Sequence, residues 1–324
     1  MRSTRRTVLK GLSAAALGAA VLPRAAMASG TALKLVATTG MIADTARAIG
    51  GDLVEVKALM GPGVDPHAYR QTRTDILAMS RADLILWNGL YLEAQMEEVL
   101  GDLSARVPVR AVAEVVPEGA RIAHDDYADR FDPHVWMDPV LWRDVAFAIR
   151  DALSEVAPDH AGEFAKNADT YAEDVIKLAN YAKNVLASVP EQTRVLVTAH
   201  DAFNYFGRAY GFDVIGIQGI STESEAGLNR ITELVNLLVE REVSAVFVES
   251  SVSDRSIRAL IEGAAAEGHE VRVGGELFSD AMGHPGTYEG TYIGMIDHNA
   301  TVISTALGGT APERGMLGKL SAGS

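Results

Sequence analysis

Cysteine is absent from all 324 residues. That excludes a disulfide framework and a thiol nucleophile, and it leaves no thiol among these residues to carry a lipid. Aromatic side chains make up only 6% of a chain that is 48% hydrophobic, so the core must be built from aliphatics, as in α/β proteins. Long apolar runs are missing too: after the first 28 residues no segment approaches the roughly 20 apolar residues that a membrane-spanning helix needs. Positive charge is scarce, with 29 Lys and Arg against 43 Asp and Glu. A net charge of −14 argues against nucleic acid as a partner. There is no H-E-x-x-H helix, no phosphate-binding G-x-x-x-x-G-K-[ST] loop and no G-x-S-x-G turn, so the common hydrolase and nucleotide chemistries lack their carriers.

What is present begins with a targeting segment. Thr4-Arg5-Arg6-Thr7-Val8-Leu9-Lys10, an Ala-rich apolar run from Gly11 to Pro23 and Ala26-Met27-Ala28 resemble a twin-arginine export signal with an A-x-A cleavage site. Residues 1–28 are therefore read as a cleaved signal, and the exported protein as soluble, in the periplasm and without a lipid anchor. Removal of Arg2, Arg5, Arg6, Lys10 and Arg24 takes the formal charge from −14 to −19.

From Ala32 apolar strand-like runs alternate with amphipathic stretches, the pattern of parallel βαβ units. Strands are predicted at 33–39, 53–60, 82–88 and 109–116, with helices at 41–49, 72–80 and 92–100. Asp138 is a good N-cap and Pro139 suits the first helical position, so a helix should start there and run to about Val156. From Asp159 to Ser188, Phe164, Ala168, Tyr171, Val175, Leu178, Tyr181 and Val185 recur at steps of three and four, which predicts one long helix. Its place in mid-chain marks it as a strut between two halves. Strands at 194–199, 212–217, 244–249 and 270–274 then alternate with helices at 202–210, 227–241 and 253–268, and a last helix covers 288–307. The domain reading is a lobe at 29–158, the connecting helix at 159–189 and a second lobe at 190–324.

Two histidines share one framing. His67 stands in D-P-H-A-Y (65–69) and His134 in D-P-H-V-W-M-D-P (132–139). His200 ends the run R-V-L-V-T-A-H, and Asp280 ends G-E-L-F-S-D. All four fall just beyond strand ends or at a domain edge, where open α/β sheets bind ligands. Three imidazoles and a carboxylate suit a divalent metal. Read singly, each histidine is equally a hydrogen-bonded polar residue. The remaining histidines read as supporting cast: His160, His269 and His298 as solvated or capping residues, and His284 as a neighbour of Asp280 able to join an outer layer. His124 opens H-D-D-Y-A-D (124–129), either a solvated acidic loop or a weak metal-capturing one. Glu249 in V-F-V-E-S-S is read as an outer or structural carboxylate, with a general base as the alternative.

Taken together, D-P-H-A-Y, D-P-H-V-W-M-D-P, T-A-H-D-A-F-N-Y-F (198–206), G-I-S-T-E-S-E-A (219–226), V-F-V-E (246–249) and G-G-E-L-F-S-D (274–280) resemble the metal-specific solute-binding proteins of bacterial ABC importers for zinc and manganese, the cluster A-I type. The resemblance covers the whole exported chain. It implies an α/β fold of two lobes, each a small mainly parallel sheet flanked by helices, joined by one long rigid helix. It places the metal ligands on His67, His134, His200 and Asp280. Many zinc members carry a long histidine-rich loop before the second ligand, and this chain has only the short segment at 124–129. The implied function is capture of Zn2+, with Mn2+ as the alternative, and delivery to an ABC permease in the inner membrane by a monomer, with a periplasmic metal donor as a further partner and no catalysis. Two other readings stand beside it. A periplasmic metallohydrolase would leave one coordination position to water, which Asp280 closes. A receptor for an organic iron chelate or vitamin would want an aromatic, Arg-lined cleft.

Overall fold

The computed structural model describes residues 32–124, 129–224 and 226–321; the segment read as an export signal and most of the acidic segment after His124 lie outside these. The N-terminal half builds a four-stranded sheet from β1 (Leu33–Ala37), β2 (Val54–Ala58), β3 (Leu84–Trp87) and β4 (Val109–Ala111), in the order β2-β1-β3-β4. All three pairings are parallel. Leu35, Ala37, Leu84 and Leu86 are buried in this sheet beneath α1 (Gly40–Gly50).

The other helices of this half differ in how they start. Helix α2 (Arg73–Met79) opens on a reciprocal capping box, Thr72 accepting from the Asp75 NH while the Asp75 carboxylate accepts from the Thr72 NH. Helix α3 (Glu97–Ser104) begins five residues later than the expected Leu92. The cause is Glu93, whose buried carboxylate accepts from Thr38 Oγ1 (2.6 Å), the Asn88 NH (2.8 Å) and the Gly89 NH (3.2 Å), holding the chain in a loop. Leu90 and Tyr91 in that loop have φ of 54° and 70°, which no helix accommodates. Strand β4 is also shorter than expected, because Val112–Val115 turns into a 3-10 helix.

Helix α4 (Pro139–Val156) starts where Asp138 and Pro139 place it, Asp138 Oδ1 accepting from the Val140 NH at 2.9 Å. Pro158 then breaks the chain before α5 (Ala161–Ala187), 27 residues and about 40 Å long at 1.5 Å per residue. Its stripe of Phe164, Ala168, Tyr171, Val175, Leu178 and Val185 is buried. The largest apolar cluster runs from the first sheet through α4 and α5 to the last helix, so the long helix joins the two lobes by sharing their core.

In the C-terminal lobe the strands form two parallel pairs, β5 (Val195–Thr198) with β6 (Asp213–Gly216) and β7 (Ala245–Glu249) with β8 (Arg272–Leu277). They carry α6 (Asn204–Tyr210), α7 (Leu228–Glu240) and α8 (Arg255–Ala266). The register of β7 with β8 slips at Gly274, which has no partner between Val246↔Val273 and Phe247↔Gly275. A Cβ at Gly274 would come within 2.7 Å of the Phe247 ring, so glycine is what lets the chain pass the ring at the slipped position. Helix α9 (Tyr292–Ala306) begins at Thr291, whose hydroxyl accepts from the Gly294 NH, rather than at Tyr288. It is tied to the first lobe by the Tyr292 NH, which donates to Asp44 Oδ2 at 2.9 Å, and by stacking of Tyr292 on Trp142 at 5.1 Å. Among the described residues no helix is long and apolar enough to cross a membrane.

Candidate metal centre

The repeated D-P-H framing has a local physical role. In each copy the aspartate turns back on the chain to accept the NH of the histidine two residues on: Asp65 Oδ1 from His67 at 2.8 Å, and Asp132 Oδ1 from His134 at 2.9 Å. Such a turn fixes the histidine backbone before any long-range contact forms. His200 is fixed from a distance instead, its NH donating to Glu249 Oε1 at 2.9 Å at the end of β7.

These three anchors bring His67, His134, His200 and Asp280 together. One ligand atom from each lies within 4.8 Å of all the others, and all four residues are buried. His67 Nε2 is 3.2 Å from His134 Nε2. Asp280 Oδ1 lies 3.3 Å from His134 Nε2, and its Oδ2 3.2 Å from His200 Nε2. Yet neither Asp280 oxygen nor His200 Nε2 makes a hydrogen bond.

The tautomers explain why. His134 Nδ1 lies 2.7 Å from Asp132 Oδ1, and His200 Nδ1 lies 2.6 Å from Glu249 Oε2. Carboxylates only accept, so the proton of each neutral ring sits on Nδ1 and Nε2 turns a lone pair inward. Lone pairs of imidazole and carboxylate converging in a dry pocket repel unless a cation lies between them, and the donor set of nitrogen and oxygen suits a divalent transition metal.

Charge balance in the free site follows from the same contacts. Burial pushes His67 down to about 3, with the neighbouring imidazoles adding to the effect. Burial also works against a charge on His134, but Asp132 and Asp280 outweigh it and raise the group to about 9. His200 is raised in the same way, burial being overcome by Glu249 and Asp280. Asp280 is held well below the usual carboxylate range because the two histidines overcome its burial. The neutral tautomer is therefore the one suited to a bound cation; without a cation these shifts favour a second proton on His134 and His200, on the Nε2 that faces Asp280, and an ion binding there would have to displace it.

Trp136, in the second D-P-H copy, closes the floor. Its ring meets His134 edge-on at 5.1 Å, and its indole NH donates to the carbonyl of Ser279 at 2.8 Å, pinning the residue before Asp280. Asp132 reaches the other lobe as well, its Oδ2 accepting from Asn204 Nδ2 at 3.1 Å. Asp65, Asp132, Trp136 and Asn204 were not singled out from sequence. The aspartates carried a usable signal, one lying two residues before each framed histidine.

Other expectations need correction. His298 is buried in α9 and not solvated. His284 is exposed and takes no part in supporting Asp280. His269 is half-buried, its Nε2 2.7 Å from the Val243 carbonyl. His160 is exposed at the helix start, as expected. His124 itself is buried, its NH donates to the Arg130 carbonyl at 2.9 Å, and it is near enough to His67 to disfavour a second positive charge there. Residues 125–128 of that segment lie outside the described residues. Glu249, read as an outer carboxylate, holds His200 through both the ring and the backbone.

The comparisons with known proteins agree with this geometry. The chain is 49% identical over 275 residues to the manganese-binding lipoprotein MntA of Bacillus subtilis (strain 168), covering 85% of this chain and 90% of that one. It is 46% identical over 273 residues to the zinc-binding protein TroA of Treponema pallidum (strain Nichols), covering 84% and 88%. The solved structure of the periplasmic zinc-binding protein TroA from Treponema pallidum superposes with a TM-score of 0.83 at 45% identity, over 85% of this chain and 99% of that one. A family model described as zinc-uptake complex component A, periplasmic (ZnuA), matches residues 35–306, and with these relatives it shows that the chain belongs to the ZnuA family of solute-binding proteins.

Proposed function

We propose that this protein is a periplasmic receptor that binds one divalent transition metal, zinc foremost, through His67, His134, His200 and Asp280 and passes it to an ABC permease in the inner membrane. The observation that carries the reading is the convergence of three imidazoles and one carboxylate, all buried and within 4.8 Å, with two rings locked by Asp132 and Glu249 so that Nε2 faces inward. The ion is cargo and not a catalyst. Four protein ligands leave no position for an activated water, which sets this reading against a metallohydrolase. The matched relatives are named for binding a metal, which supports the same class.

Zinc is preferred because imidazole nitrogen favours it over manganese, which stands low in the general affinity order. Manganese is the second reading, and one observation favours it. Both Asp280 oxygens face the imidazoles, Oδ1 toward His134 and Oδ2 toward His200. A carboxylate bound through both oxygens raises the coordination number to five, which manganese accepts more readily than a tetrahedral shell. Names alone do not choose between the ions, since MntA is called manganese-binding and TroA zinc-binding.

The working organisation is an export signal at 1–28, a lobe at 29–158, the connecting helix at 159–189 and a second lobe at 190–324, acting as a monomer. MntA is named a lipoprotein, whereas none of these 324 residues is a cysteine able to carry a thioether-linked lipid. The test is competition titration of chelator-stripped protein with Zn2+ and Mn2+, together with His134→Ala. Tight zinc binding that disappears in His134→Ala supports the reading; tight binding that survives the substitution overturns the site, and a preference for manganese overturns the choice of metal.

A further inference from the structure

His298 lies well away from the quartet in sequence and repeats its ring arrangement in mirror form. It is 5% exposed, and its Nε2 lies 2.9 Å from the backbone carbonyl of Glu276. A carbonyl only accepts, so the proton sits on Nε2 and Nδ1 presents a lone pair. That Nδ1 is buried and has no hydrogen-bond partner. An imidazole with one nitrogen tied to a carbonyl and the other bare is how metal-ligating histidines are held in proteins. The same relation holds at His134 and His200, with carboxylates in place of the carbonyl.

His298 lines a cavity of about 630 Å³ together with Ser250, Glu276, Phe278, Met282, His284 and Glu289. No lysine or arginine is among its lining residues. Ser250 Oγ is a second buried polar atom there without a partner. Burial works against a charge on Glu289, but the Ser321 NH, 2.6 Å from its Oε1, outweighs it and keeps the carboxyl below its usual range. Burial likewise keeps His298 neutral, the state in which Nδ1 can donate its lone pair. His284 stands exposed on the turn between Gly283 and Gly286 and lines the same cavity. The cavity adjoins the quartet along the chain, with Ser250 next to Glu249 and Met282 two residues beyond Asp280.

We propose that this cavity is a second seat for a divalent transition metal, with His298 Nδ1 as its fixed nitrogen ligand, Glu289 as its carboxylate and His284 closing on the ion from the turn. Among the described residues the quartet is the group whose ligand atoms already lie together. The second seat must gather His284 from solvent, so it binds more weakly than the first. The seat does not depend on the quartet reading.

The full chain, stripped with a chelator, is titrated with Zn2+ against a chromophoric competitor. Wild type takes up two equivalents, one tight and one weaker. His298→Gln and His284→Gln each weaken the second by about tenfold or more and leave the first unchanged. His134→Ala removes the first and keeps the second. His284 is exposed, so its substitution decides the matter if His298→Gln fails to fold. Uptake of the tight equivalent alone in wild type overturns the proposal, as does a weaker equivalent that survives the histidine substitutions unchanged. Uptake of the weaker equivalent alone, abolished by His298→Gln and His284→Gln, overturns the quartet and leaves the second seat standing.

Discussion

Thr222 Oγ1 donates to Asp65 Oδ2 at 2.6 Å, and Asp65 Oδ1 in turn accepts the His67 NH at 2.8 Å, so a loop of the C-terminal lobe holds the first histidine of the N-terminal lobe. Beside it Gln95 Nε2 donates to Glu223 Oε1 at 2.5 Å, a second bond between the same two lobes. Both partners of the C-terminal lobe lie in the G-I-S-T-E-S-E-A stretch. These bonds make that loop a clasp over His67. Thr222→Val keeps the volume and removes the donor, leaving a half-buried carboxylate oxygen without that partner at a cost of about 1 kcal/mol. We expect metal to leave up to about tenfold faster, with the thermal midpoint lowered by only about 2–4 °C. Stopped-flow transfer to a chelator measures the rate, and an unaltered rate would show that the bond does not hold the metal in.

Glu249→Gln should act on the metal without touching it. The amide oxygen can still accept the His200 NH, but the amide NH2 then confronts the Nδ1 proton and turns the ring from its working tautomer. Loss of such a supporting group typically weakens metal binding by about 10- to 100-fold. Equilibrium competition against a chelator of known affinity gives the number. Circular dichroism should be unchanged, because no element depends on the Glu249 charge for its packing.

Metal uptake should release protons well above the ordinary histidine range. In the metal-free centre His134 is raised to about 9 and His200 is raised as well, so near neutral pH both rings carry a proton that the ion must displace. His67, lowered to about 3, contributes none. Affinity should therefore rise with pH up to about 9 and fall steadily as pH drops below it. Calorimetry at pH 7 in buffers of different ionisation enthalpy should report release approaching the two protons held on these rings. Release near zero would mean that the free site is already deprotonated.

Metal choice should respond to His200. Replacing it with glutamate exchanges a nitrogen ligand for a harder oxygen and adds a negative charge, which costs zinc more than manganese. His200→Glu should narrow the zinc-over-manganese preference, mainly through weaker zinc binding. Paired competition titrations decide it, and the expectation fails if the ratio stays where wild type has it.

Glu93 offers a test of the scaffold apart from the metal. Burial lifts its carboxyl from 4.5 to about 7 despite the bonds from Thr38, Asn88 and Gly89. The folded state therefore binds this proton more tightly than the unfolded state. Stability is highest below the unfolded value and declines as pH rises from about 4.5 to about 7, by about 3 kcal/mol at 1.36 kcal/mol per unit. Glu93→Gln, which cannot ionise, should flatten that decline. Urea unfolding of the metal-free protein at pH 5 and pH 7 checks it.

The sequence by itself determined the alternation of strands and helices, the start of α4 at Asp138-Pro139, the long helix and the matched framing of His67 and His134. These are written in local terms: periodicity, a capping residue, and an aspartate two positions before each framed histidine. Tertiary structure decided the rest. Which nitrogen of His200 faces the centre depends on Glu249, 49 residues away, and Ser279, the residue before Asp280, is held by an indole 143 residues away from it. The late start of α3 comes from a carboxylate buried under β1, where a local pattern had promised a helix. The burial of His298 and the exposure of His284, both against expectation, have the same reason. A histidine in a helix is buried or solvated according to what packs against that helix, and only the fold brings the Glu276 carbonyl to its ring.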